Sequence, residues 1–331
     1  MPLHDTSYKH WDGVHLGVWQ RRLVIARNGL SLCLQNKWMR YVVMLCWASA
    51  LVMAVILFLV GQLLVADSIV VRWVANFSPQ LQAFARMLTT WLEQHPEISV
   101  RATQNVLFYY FSANLLRASI FAVGMAIPLF ITRDLASNAI IIYSSKAVSR
   151  MDYLIGKFAM AFGLMSLTWL GPAFAAWFLG NLLAPDWRFF WHSRAALFNT
   201  MLYALISMGV LSTIALGISA ISGREKSTPA LWYIWWILGG AVAQIAERTQ
   251  PWLRHVSFNY NLEQIGLAIF RLGNDIGIAR DNVPILGEML RNIPPQTMTA
   301  LSAPAVAGAV VASVMMMGVA ALIIHKRVKP E

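Results

Sequence analysis

The chain has 331 residues, of which 58% are hydrophobic and 12% charged, and its formal net charge is +11. A soluble domain carries about a quarter charged residues, so the pair of globular domains that the length would suggest is excluded, as are a disordered chain, a collagen and a disulfide scaffold. What remains is an all-α polytopic membrane protein.

Residues 1–40 are expected to form a cytoplasmic tail and an interfacial helix. The segment is polar to about Trp11. Trp19, Leu23, Ala26, Leu30 and Cys33 then recur at helical spacing, with Arg21, Arg22, Asn28 and Gln35 elsewhere on the wheel. Such a helix lies in the membrane interface, either simply as a surface helix or as a lever touching a cytoplasmic partner. Cys33 and Cys46 form no CxxC or zinc pattern and read as small apolar residues.

Residues 41–324 hold six apolar stretches long enough to cross a bilayer, which needs about 20 residues. The first, 41–66, follows some 40 residues and is too long for a signal peptide, so no cleavage is expected. In the loop 66–106, Leu81, Phe84, Ala85, Leu88 and Leu92 suggest one amphipathic helix, ended at His95-Pro96. The second span, 107–131, contains Arg117, the one charge inside an assigned span. Arg117 either snorkels to the outer surface or faces a polar pathway together with Asn114. Pro128, and Gly171-Pro172 in the third span, 158–183, predict kinks.

An aromatic belt of Trp187, Phe189, Phe190 and Trp191 precedes the fourth span, 195–221. The fifth, 229–246, is short. In the outer segment 247–302, Leu262, Ile265, Ile269 and Leu272 make an amphipathic stripe, and Gly273, Gly277, Pro284, Pro294 and Pro295 break the rest. Short helices capping the outer ends of the spans are expected there. The sixth span, 303–324, carries small residues four apart, Ala305, Ala309 and Ser313 beside Gly308 and Ala312, and is expected to pack inside the bundle. Residues 325–331 form a second tail.

All seven lysines fall in the segments 1–40, 132–157, 222–228 and 325–331, which together hold 15 Lys or Arg against 6 acids. The other connections hold 10 against 9. The positive-inside rule then places both termini in the cytoplasm, and the expected location is a bacterial inner membrane. Spread over four inner segments, the basic excess is topology and not a nucleic-acid footprint. No GxxxxGK[ST], HExxH or GxSxG pattern occurs, and the histidines lie in tails and connections. Catalysis, a cofactor and a metal are not expected in this chain.

The loop between the second and third spans is the informative one. Asp134 favours the start of a short helix through its dipole. Leu135, Ala139, Ile142 and Tyr143 give that helix an apolar stripe, and Lys146 and Arg150 follow. A greasy stripe facing the cytosol needs a cover, either the membrane or another protein.

An acid at the end of span two, a short apolar helix, then Val148-Ser-Arg-Met-Asp-Tyr-Leu-Ile-Gly-Lys157 entering span three resembles the permeases of type-2 ATP-binding-cassette (ABC) exporters. The matching positions are Asp134, Ser149, Arg150, Tyr153, Gly156 and Lys157. Asp134 stands where that family more often has Glu, Ser137-Asn138 where it has Gly-Thr, and Val148 where it has Pro. The resemblance implies a permease that pairs with a second copy or a homologous permease. It also implies docking of a separate ATPase, which holds ATP and Mg, on the loop 132–157 through a coupling helix of about 134–146. The docking residues would be Asp134, Leu135, Ala139, Ile142, Tyr143, Lys146 and Arg150, with Arg117 and Asn114 as pathway residues. Other readings are a non-transporting permease-like anchor or signalling subunit, and a secondary carrier.

Overall fold

The computed structural model of the chain describes residues 17–63, 96–139, 149–184, 187–273 and 303–328. Among them every regular element is helical. Six helices are long and apolar enough to cross a membrane: Lys37–Gln62, Val100–Ala136, Arg150–Leu182, Phe189–Ile221, Thr228–Ala246 and Ala305–Arg327. The chain is an all-α polytopic membrane protein. Several spans begin or end a turn or two beyond their apolar runs, because polar residues such as Arg101 and Arg150 continue the helix past its greasy core.

Helix α1 (Val18–Gln35) stops at Asn36, whose extended backbone turns the chain. The Asn36 Oδ1 accepts from the Trp38 amide at 3.0 Å and so caps α2 (Lys37–Leu63). The face that α1 buries is Ala26, Gly29 and Cys33, whereas Trp19 and Leu23 of the expected stripe are 76% and 66% exposed. Small residues win that face because they allow a close approach to the third span. A Cβ on Gly156 would lie 2.8 Å from the Ile25 side chain, and one on Gly29 would collide with Met160. Val18, Trp19, Leu23, Val24 and Leu32, spread around the rest of the helix, stay exposed.

Two prolines reshape their spans as expected. Helix α3 (Pro96–Ala126) tightens at Pro128 into the 3-10 turn Ile127–Leu129, and one further turn, α4 (Thr132–Ala136), follows. In the third span, α5 (Arg150–Met165) and α6 (Gly171–Leu182) are joined by a π turn, Ser166–Leu170. Pro172 can donate no backbone hydrogen bond, and the extra residue of the π turn absorbs the mismatch. The Trp47 indole donates to the Leu167 carbonyl at 3.1 Å, and the Ser119 and Thr168 hydroxyls meet at 2.8 Å.

Helices α7 (Arg188–Ile221) and α8 (Thr228–Thr249) make the fourth and fifth spans, and α10 (Ala303–Arg327) the sixth. With α3, α7 is the most deeply buried span. The small-residue face of α10 packs inside the bundle, with Ala309 and Ser313 buried. Farther along, a Cβ on Gly217 of α7 would stand 2.7 Å from that of Ala320. Below, the near end is the one where α1, α4 and the last turn of α10 meet, and the far end is opposite.

The first part of the segment after the fifth span, residues 251–273, re-enters the bundle where capping helices are expected; residues 274–302 lie outside the described residues. The 3-10 turn Pro251–Val256 runs back along α8, so that Ser257 lies beside Gly239, halfway down. Helix α9 (Phe258–Phe270) then climbs toward the far end. Phe258 stacks on Trp232 at 5.3 Å, and Phe270 meets Tyr109 and Tyr203 edge-on. His255 and Asn261 pin the turn through two hydrogen bonds of 2.7 and 2.8 Å. The stripe of Leu262, Ile265, Ile269 and Leu272 is only part of what α9 buries, since Phe258, Asn261, Gly266, Leu267 and Phe270 are buried too.

Candidate functional site

The near end is built around hydroxyls that replace missing helical hydrogen bonds. Past Pro128 the helical ladder is broken, with the Phe130 amide bonding the Ile127 carbonyl at 3.2 Å. Ser219 of α7 donates through its hydroxyl to the Ile127 carbonyl at 2.8 Å and accepts from the Ile131 and Thr132 amides at 2.9 and 3.0 Å. Thr132 donates back to the Ser219 carbonyl at 2.7 Å, and its hydroxyl lies 3.2 Å from that of Thr228 on α8. Ser219, Thr132 and Thr228 are fully buried. The turn is thereby stitched to the fourth and fifth spans.

Charges then tie the turn to the third span, and the third span to α1 and α10. Tyr153 and Lys157 stand one turn apart on α5 and both reach Asp134 in α4. The Tyr153 hydroxyl donates to Asp134 Oδ2 at 2.7 Å, and Lys157 Nζ sits 2.7 Å from the same oxygen. Lys157 also donates to the Leu129 carbonyl at 3.0 Å. Ser149 caps α5, its hydroxyl accepting from the Asp152 amide at 3.1 Å and donating to the Asp152 carboxylate at 2.6 Å. The other Asp152 oxygen takes Arg22 of α1 at 2.6 Å. Arg150 donates to the Ile324 and His325 carbonyls, at 3.2 and 2.6 Å, and so satisfies the last turn of α10. In this dry seam burial pushes the Cys33 thiol up to about 12, against the opposing pull of Lys157. Among the described residues, no group of His, Cys, Asp and Glu could hold a metal ion.

The residues singled out in the loop fall into three groups. Asp134 and Arg150 turn inward, to Tyr153 and Lys157 and to α10. Leu135 is half-buried and packs on the chain's own core, and Ala139 is half-buried. Ile142, Tyr143 and Lys146 lie outside the described residues. The helix expected over 134–146 is interrupted after Ala136. Ser137 bonds back to the Arg133 carbonyl at 2.8 Å, and Asn138 adopts a left-handed φ of 55° before Ala139 becomes helical again. Serine and asparagine compete for backbone hydrogen bonds in this way, and asparagine tolerates that φ. The surface left for a partner on this turn is Arg133, Ala136, Ser137 and Asn138, all exposed.

Arg117 donates to Asn114 Oδ1 at 3.1 Å on an exposed face of α3. Since α3 begins at Pro96, Arg117 is deep in the span and does not snorkel to the far end. Glu263, carried in by the re-entrant α9, lies within electrostatic reach of it.

The roles of Arg22, Ser219 and Thr228 were not apparent from the sequence, although the signals are present. Arg22 and Asp152 are opposite charges at the borders of apolar segments, and Ser219 and Thr228 are hydroxyls at span ends beside a proline-broken turn. No protein-family model matches the chain, and no curated protein matches it.

Proposed function

We propose that the chain is the transmembrane permease subunit of an ABC exporter, driven by a separate ATPase subunit that docks on the loop 132–157. The observation that carries this reading is a convergence. The residues shared with such permeases, Asp134, Ser149, Arg150, Tyr153, Gly156 and Lys157, form one contact network with α1, the third span and the sixth. A push on the turn therefore passes to the third span and through it to α1 and the sixth, as a coupling device requires. Both termini then lie in the cytoplasm of a bacterial inner membrane, ATP and Mg are held by the ATPase, and a second permease copy faces the surface carrying Arg117 and Asn114. That pairing covers an intramembrane charge and makes Arg117 and Asn114 pathway residues. Membrane lipids surround the rest, and nucleic acid is not a partner.

The test is co-purification of the ATPase from the native membrane. Ala136→Asp together with Asn138→Asp, both exposed on the turn, charges the docking side without touching Leu135 or the inward-facing network. The double variant is expected to insert and to lose its ATPase. Retention of the ATPase would refute the docking assignment.

A further inference from the structure

We propose that the cavity at the far end of the bundle binds a phosphate-bearing headgroup, that of an anionic membrane lipid. The cavity encloses about 450 Å³ between α3, α7 and the last turn of α9, within the range of about 300–1,000 Å³ typical of ligand pockets. Two arginines line it, Arg101 from α3 and Arg271 from the end of α9, with no Asp or Glu among the lining residues. Between them the Asn199 amide donates to Asn105 Oδ1 at 3.3 Å. Phe198 and Leu202 supply an apolar wall. Two arginines beside an amide pair suit the planar, multi-oxygen face of a phosphate.

The depth identifies the source of the phosphate. At 1.5 Å per residue, Asn105 lies about 32 Å along α3 from Ala126, and Asn199 about 33 Å along α7 from Ile221. The hydrocarbon core is about 30 Å thick, so the cavity sits at the level of the far headgroups, with its apolar wall toward the acyl chains. Arg271 adds an independent sign. It closes α9 with a left-handed φ of 49°, a position where glycine is the low-strain choice. Its side chain makes no hydrogen bond or ion pair among the described residues. A cation held in a strained position, unpartnered among the described residues, suits a ligand. The re-entrant α9 is what carries Arg271 to the two spans, and this reading stands whether or not an ATPase docks at the near end.

The test uses the full chain in a neutral detergent, with binding measured by titration calorimetry. The probes are short-chain phosphatidic acid, the diacylglycerol with the same chains, and inorganic phosphate. Phosphatidic acid is expected to bind at least about tenfold more tightly than the diacylglycerol. Arg101→Gln and Arg271→Gln should each weaken it by about tenfold, the loss of one charge-assisted hydrogen bond. Asn199→Asp, which puts a like charge in the cavity, should weaken it further, and Arg271→Lys should retain part of the affinity. Arg40→Gln, an exposed near-end change, should leave it unaltered. Equal binding of phosphatidic acid and diacylglycerol would overturn the proposal, as would far-end variants no weaker than Arg40→Gln. Inorganic phosphate binding as tightly as phosphatidic acid would overturn the lipid assignment.

Discussion

Removing the charge of Asp134 or of Lys157 tests the network at its most buried link. Their side chains are 14% and 9% exposed, and the ions are 2.7 Å apart. At an effective dielectric constant of about 20, that separation corresponds to an attraction of about 6 kcal/mol, most of it offset by the desolvation of both ions. Deleting one partner leaves the other charge stranded, at about 3–5 kcal/mol for a buried pair. Asp134→Asn belongs at the low end of that range, because Lys157 keeps the Leu129 carbonyl at 3.0 Å. Lys157→Met belongs higher, because the Asp134 carboxylate then keeps the neutral Tyr153 hydroxyl and no cation. The double variant removes both charges and should cost about as much as Asp134→Asn alone, giving a coupling equal to the cost of Lys157→Met, about 4–5 kcal/mol. Reversible unfolding in mixed detergent micelles, read by tryptophan fluorescence, measures all four corners of the cycle. Single variants that cost under about 1 kcal/mol, or costs that simply add, would refute the claim that this pair holds the turn to the third span.

Ser219→Ala should cost about 1–3 kcal/mol in the same assay, because the buried Ile131 and Thr132 amides lose their hydroxyl acceptor, while the Ile127 carbonyl keeps the Phe130 amide. A near-neutral result would mean that water reaches the turn. Gly156→Ala should destabilise by about 1–2 kcal/mol, since the new methyl meets the stiff Ile25 and the Arg22 carbonyl. Gly29→Ala should cost less, because Met160 can bend aside; comparable losses would contradict this account of the seam. Cys33, with its thiol raised to about 12, carries almost no thiolate below pH 9. It should resist maleimide at pH 7.5 in the folded protein and react once the chain is unfolded in dodecyl sulfate, and mass spectrometry of the labelled peptide reads both states.

The crossings were legible because twenty apolar residues have few other fates, and the proline breaks because proline removes a donor wherever it stands. What periodicity could not give was the partner of each face. On α1 the stripe from Trp19 to Cys33 marks apolar positions, but the closest packing goes to Gly29 and Ala26, where small size outweighs hydrophobicity. On α9 the period identifies an amphipathic helix and is silent about depth, so a segment that dives to mid-bundle reads like one lying on top. The loop network was half legible. Tyr153 and Lys157 stand four apart and Asp134 carries the complementary charge, whereas Ser219 reaches the Ile131 and Thr132 amides from some ninety residues away, a distance no local pattern spans.

The dive of α9 also sets an order of assembly. Thirteen residues of helix extend about 20 Å, too little for a crossing, so the insertion machinery has no complete segment to release sideways into lipid. The stretch must instead be drawn in from the aqueous side after α3, α7 and α8 have already met. Until Phe258 slots against Trp232, the growing chain carries an open furrow, and the last crossing finds its final neighbour only once that furrow has closed.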